Sequence, residues 1–328
     1  MKIKSSVVFT LAALALSSSA WADIKIALVA KSLGNGFFEA ANEGAQEAAK
    51  ELGDVSIIYT GPTTTTAEAQ IEVINGLIAQ RVDAIAISAN DPDAVVPVLK
   101  KAMQRGIKVV SWDSGVSTAG RQIHLNPSNN RLIGEINAKL AADALAALNV
   151  EQGDVAILSA TPTSTNQNIW IEEMKKALPQ YPSIHLVSVA YGDDLSDKSY
   201  REAVGLLKSN PDLKVIVSPS SVGIVAAAQA VKDQGKIGQV YVTGLGLPSE
   251  MAGAIKSGAS KSFAIWNPID LGYAATYIAN DLVRETATKM EASMGRLGTV
   301  LLDVDGNGAM GKPFIYDASN IDKFSKLF

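Results

Sequence analysis

The run Ile24-Lys-Ile-Ala-Leu-Val-Ala30, the turn Lys31-Ser-Leu-Gly-Asn-Gly36 and the stretch Phe37-Phe-Glu-Ala-Ala-Asn-Glu-Gly-Ala-Gln-Glu-Ala-Ala-Lys-Glu-Leu52 form one strand–turn–helix unit. The first run is short and largely apolar, as a buried strand requires, and the last carries apolar residues at helical spacing. Gly53 then stands just past the helix, where a left-handed C-cap belongs. The same unit recurs: strands are expected at Ile24–Ala30, Val55–Tyr59, Ala84–Ser88 and Ile107–Ser111, with helices at Phe37–Leu52, Ala67–Gln80 and Ala94–Arg105. Such alternation is the mark of βαβ units around a mostly parallel sheet. A second series follows, with strands at 155–158, 184–190, 215–217, 240–243 and 262–266 and helices near 166–178, 198–209, 222–234 and 249–257. Between the two series, Trp112 to Asn130 is rich in Ser, Gly, Asn and Pro and suits a crossing between domains. The expected fold class is therefore α/β, as two doubly wound parallel-sheet lobes.

Composition sets the compartment. Lys2 and Lys4, the apolar run Val7 to Leu16 and Ala20-Trp-Ala22 read as an export signal cleaved after Ala22. That apolar run is far below the roughly 20 residues needed to span a bilayer. Loss of the two lysines changes 29 basic residues to 27 against 33 acidic ones, so the net charge moves from -4 to -6. An acidic chain without basic clusters argues against nucleic acid as a partner. With no cysteine, disulfides, thiolate nucleophiles and cysteine metal sites are all excluded. The two histidines, His124 and His185, lie far apart, and ordinary structural or surface roles are expected for both. No cofactor is expected.

Two facing parallel-sheet lobes bring the carboxyl ends of their strands to a shared cleft, where open α/β sheets bind ligands. The loops at those ends hold Lys31, Phe37, Phe38, Asn90, Trp112, Asp113, Asn166, Gln167, Pro219, Ser221, Trp266, Asn267 and Asp270. One cation, carboxylates, amides and large aromatics are a sugar-binding set. Planar rings cover the apolar faces of a pyranose, and the polar groups take its hydroxyls in directional bonds. Within Thr161-Pro-Thr-Ser-Thr-Asn-Gln-Asn-Ile-Trp170, Thr163, Ser164 and Thr165 are expected to turn the chain and cap a helix, leaving Asn166 and Gln167 to face a ligand. Asp303-Val-Asp-Gly-Asn-Gly308 begins like a calcium loop, but its twelfth position is Phe314 rather than a bidentate glutamate, so a turn is expected. No GxSxG, P-loop or SxxK motif occurs. Asp113 and Asp270 leave a paired-carboxylate glycosidase open as a reading from another class, although nothing marks either as having a raised pKa.

At these loops the sequence resembles the periplasmic sugar-binding proteins of ABC importers, of the ribose-binding type (periplasmic binding protein type 1). Within that group it is most similar to rhamnose-binding proteins of rhizobial type. The resemblance runs through Lys31-Ser-Leu-Gly-Asn-Gly-Phe-Phe38, Gly106-Ile-Lys-Val-Val-Ser-Trp-Asp-Ser-Gly115, Thr163-Ser-Thr-Asn-Gln-Asn-Ile-Trp170, Gly244-Leu-Gly-Leu-Pro-Ser-Glu-Met251 and Phe263-Ala-Ile-Trp-Asn-Pro-Ile-Asp-Leu-Gly272. It is also similar to the autoinducer-2 binding proteins, a sister branch. The resemblance implies two lobes joined by three crossings, at 23–125 plus 267–297 and at 126–266 plus 298–328. It also implies a monomer in the periplasm, delivering a sugar to an inner-membrane permease. Carried over motif by motif, the family's ligand contacts fall on Lys31, Asp113, Asn166, Gln167, Pro219, Ser221, Trp266, Asn267 and Asp270. The sister branch has an aspartate where this chain has Asn166 and an alanine where it has Ser221. A carboxylate only accepts whereas an amide also donates, so the expectation is L-rhamnose or a similar deoxyhexose rather than autoinducer-2.

Overall fold

The computed structural model describes residues 23–328, and the expected export signal lies outside the described residues. The first half is β1 (Ile24–Val29), α1 (Gly36–Leu52), β2 (Val55–Thr60), α2 (Ala67–Gln80), β3 (Ala84–Ile87), α3 (Val96–Gln104), β4 (Lys108–Trp112) and β5 (Ile123–Asn126). The second half is α4 (Asn130–Ala147), β6 (Gly153–Ser159), α5 (Thr165–Ala177), β7 (Ile184–Tyr191), α6 (Ser196–Ser209), β8 (Leu213–Ser218), α7 (Ser221–Asp233), β9 (Tyr241–Gly244), α8 (Pro248–Ser257) and β10 (Ser262–Ile265). Then come α9 (Pro268–Val283), β11 (Glu291–Ser293), β12 (Thr299–Leu301), β13 (Asn307–Ala309) and β14 (Phe314–Asp317). The six-stranded sheet has order β13-β5-β4-β3-β1-β2 and the four-stranded one β7-β6-β8-β9, both parallel throughout. β10 extends the second sheet through a bridge from Ala264 to Leu245 and pairs antiparallel with β14.

Parallel strands need helical crossovers, and those helices cover both faces of each sheet. In the first lobe α1 and α9 pack on one face and α2 and α3 on the other; in the second, α4 and α5 oppose α6 and α7. The strands accordingly read as nearly unbroken apolar runs: all of β3 and the last four residues of β1 are buried. The chain leaves the first lobe after β5, returns between β10 and α9, and crosses again between β13 and β14, which makes three crossings.

Two details depart from the sequence reading. The expected crossing at Trp112 to Asn130 contains β5, a four-residue strand too short to show alternation. The tail is also shared between lobes rather than lying whole in the second, because Asn307–Ala309 pairs with β5 while Phe314–Asp317 pairs with β10. A three-residue Asn-Gly-Ala strand carries no readable pattern. Its place is fixed by Arg121, which donates to Val116 O, Asp305 O and Asn307 Oδ1. Asp303 accepts the backbone N–H groups of Asp305 and Asn307, closing the turn expected at the calcium-like segment.

His124 is buried in β5, whereas His185 lies on the exposed edge strand β7. Asn126 Nδ2 donates to Gly308 O, so its Oδ1 faces the His124 ring and accepts from Nε2, leaving Nδ1 to accept from Ser111 Oγ. Burial, reinforced by the Arg121 charge, pushes His124 down to about 4. The folded protein thus holds it neutral while the unfolded chain protonates it near 6.5. Its contribution, on the order of 3 kcal/mol, is complete above pH 6.5 and is lost as pH falls from there toward about 4. In urea unfolding, His124→Gln should show a smaller fall in midpoint between pH 7 and pH 4.5 than the wild type. An equal fall in both proteins would remove His124 from the acid response.

Candidate ligand-binding cleft

The side chains that meet between the lobes come from strand ends or from the first turn of the following helix. Lys31 follows β1, and Asn35 caps α1 by accepting from Phe37 N, which sets Phe37 and Phe38 on that first turn. Asp113 follows β4 in the left-handed region, with φ 56°. From the second lobe, Asn166 and Gln167 open α5, Asp194 follows β7, Pro219 and Ser221 flank the start of α7, and Trp266 follows β10. Together with Trp170, Leu245 and Ile265 they line one pocket where the two lobes meet.

One wall is aromatic. The Trp266 ring meets Phe37 edge-on at 6.1 Å between centroids and Trp170 at 5.3 Å, and Phe37 meets Phe38 at 5.3 Å. The other wall is polar and charged. Asp113, 4% exposed, accepts from Ser88 Oγ at 2.9 Å and from Asn166 Nδ2 at 2.9 Å, and it faces Lys31. Lys31, 3% exposed, donates to Asp194 Oδ2 at 3.1 Å. Burial pushes Asp113 above the usual carboxylate range, and the Lys31 charge with the two hydrogen bonds offsets only part of that rise. Burial pulls Lys31 down, but Asp194 and Asp113 outweigh it and hold the ammonium above its ordinary value. Gln167 Oε1 accepts from Ser159 Oγ and Ala160 N, and its Nε2 has no partner among the described residues.

The sequence-predicted residues Lys31, Phe37, Phe38, Asp113, Asn166, Gln167, Pro219, Ser221 and Trp266 all line this cavity. Asn90, Asn267 and Asp270 do not. Asn90 donates to Lys31 O and holds the loop behind the cavity; Asn267 caps α9 by accepting from Ile269 N; Asp270 pairs with Arg296 at 2.8 Å. Trp112 is wholly buried behind Phe38. Thr163 and Thr165 do more than turn the chain, since their hydroxyls donate across the cleft to Asn90 O and Gly115 O. The sequence reading omits Asn35, Trp170, Leu245, Ile265 and, most consequentially, Asp194. That residue follows a strand read correctly from the sequence, so the strand-end rule applied to Tyr191-Gly-Asp-Asp194 would have found it.

A profile of the periplasmic binding protein domain matches residues 26–287. The D-ribose/D-allose-binding protein of Pseudomonas aeruginosa is 32% identical over 232 residues, covering 67% of this chain and 70% of that protein. Among solved structures, an ABC transporter solute binding protein from Clostridium phytofermentas with bound L-rhamnose is 36% identical, with a TM-score of 0.87 over 93% of this chain and 99% of that one. LsrB from Clostridium saccharobutylicum, in complex with AI-2, shares the fold with a TM-score of 0.87 at 23% identity, covering 92% of this chain and 99% of that one. Among the described residues no helix is long and apolar enough to cross a membrane.

Proposed function

Because the chain belongs to the periplasmic binding protein family, whose members are non-enzymatic sugar-binding components of ABC importers, we propose that its cleft binds L-rhamnose or a similar neutral deoxyhexose for delivery to a permease. The observation that carries this reading is one cavity joining an aromatic wall to buried, directional polar groups. The identity of the sugar draws on the relative that holds L-rhamnose. In this reading Asp113 accepts sugar hydroxyls and Gln167 Nε2, which has no partner among the described residues, donates. Phe37, Phe38 and Trp266 cover the apolar face and the methyl group, and Pro219 and Ser221 close the far end. The lobes follow the strand pairing, 23–126 with 267–309 and 127–266 with 314–328. Closure is favoured because ligand contacts from both lobes coexist only when the lobes meet.

A thermal-shift panel of deoxyhexoses, pentoses and autoinducer-2 tests the reading. A ligand at 100 times its dissociation constant adds roughly 2.7 kcal/mol of apparent stability. The largest shift is expected with L-rhamnose, and a larger one with autoinducer-2 would move the chain to a receptor for that signal.

Asn166→Asp tests the amide. Asn166 Nδ2 donates to Asp113 Oδ1 at 2.9 Å, and a carboxylate in its place would oppose a buried carboxylate with no proton to give. Calorimetry should show L-rhamnose binding at least tenfold weaker at pH 7, with part of the loss recovered at pH 5. Undiminished affinity at pH 7 would show that the amide does not select the ligand.

A further inference from the structure

Asp194 lies in the second lobe yet meets Lys31 of the first, and both side chains are almost fully buried, at 6% and 4% exposure. Every polar atom of its carboxylate is engaged. Oδ2 accepts from Lys31 Nζ at 3.1 Å, and Oδ1 accepts from Ser220 Oγ, the cap of α7. The backbone that delivers it is unusual: Asp193 and Asp194 are consecutive non-glycine residues in the left-handed region, with φ 57° and 52°. Asp113, the other carboxylate facing Lys31, is also left-handed. Such conformations are uncommon for residues other than glycine and persist where surrounding contacts impose them. Here Thr65 Oγ1, from the first lobe, donates to Asp193 O, while Lys198 draws the Asp193 carboxylate aside. The turn is thus held so that only Asp194 enters the cleft. Lys31 is the cation of the cavity lining, between two anions on opposite lobes.

We propose that Asp194 is a positioning residue of the binding site, fixing the Lys31 ammonium across the cleft so that its remaining N–H groups are presented to the ligand only when the lobes meet. This rests on the sugar-binding reading. Its signature is coupling: Asp194 acts through Lys31, so its removal matters only while Lys31 is present.

The test is a double-mutant cycle on the full mature chain with Asp194→Asn, Lys31→Met and the pair, read two ways. In calorimetry with L-rhamnose, Asp194→Asn should weaken binding at least tenfold in the wild type and less than about threefold in the Lys31→Met background. In urea unfolding without sugar, Asp194→Asn should lower the midpoint of the wild type but raise that of Lys31→Met, whose buried carboxylates have lost their cation. Wild-type affinity in Asp194→Asn, or equal losses in both backgrounds, would overturn the proposal. If the wild type gives no heat with L-rhamnose, that sugar assignment fails by itself. The unfolding cycle then decides the pair, and additive midpoints overturn it.

Discussion

Asp113→Asn should weaken L-rhamnose binding between about ten- and a hundredfold while leaving the sugar-free protein no less stable. A hydrogen bond to a charged group contributes about 1.5 to 3 kcal/mol, and each 1.4 kcal/mol is tenfold in affinity. Asparagine keeps the shape of the side chain, tolerates the left-handed backbone at φ 56°, and can still accept from Asn166 and donate to Ser88. What it loses is the charge and one accepting oxygen. Burial raises the pKa of this carboxyl, so at neutral pH its ionisation costs the fold something rather than helping it. Calorimetry and a thermal melt on the same sample separate the two effects. Full affinity would place Asp113 outside the ligand contacts, and a collapsed melting temperature would make its role one of folding.

Gly272→Ala should destabilise the protein by about 3 kcal/mol or more, because the added methyl collides with backbone that cannot turn aside. A Cβ at Gly272 would stand 1.8 Å from Ala41 O, and one at Gly44 would stand 1.8 Å from Ile269 O. The helices α1 and α9 therefore cross backbone to backbone at two reciprocal glycines. Relief requires the helices to separate. α1 carries Phe37 and Phe38 in its first turn, and α9 begins just after Trp266, so separation would open the aromatic wall as well. Urea unfolding should show a markedly lower midpoint, and sugar affinity should fall with it. A midpoint close to wild type would mean that the crossing is looser than these distances imply.

Much of the fold was legible because its signals are periodic. Apolar strand runs and 3.6-residue helices recur from Ile24 to Ile265, and helix ends are punctuated by residues such as Gly53, which sits at φ 82°. The short pieces were not legible. β5 and β13 span four and three residues, too few for a period, and their pairing depends on Arg121 reaching the tail. The cleft divides in the same way. The strand-end rule brings Lys31, Asp113, Asn166 and Gln167 to one pocket lining, since position along a strand decides which end of the sheet a residue reaches. It does not say which way an amide points. Asn90 and Asn267 occupy the right loops but satisfy backbone groups, and Asp270 is taken by Arg296, a partner from a distant part of the chain.

The most direct test is calorimetric titration of the mature chain with L-rhamnose and, separately, autoinducer-2. Saturable one-to-one binding of L-rhamnose, at least tenfold tighter than that of autoinducer-2, is expected. Saturable autoinducer-2 binding with no heat from L-rhamnose would contradict the assignment of this cleft to a deoxyhexose.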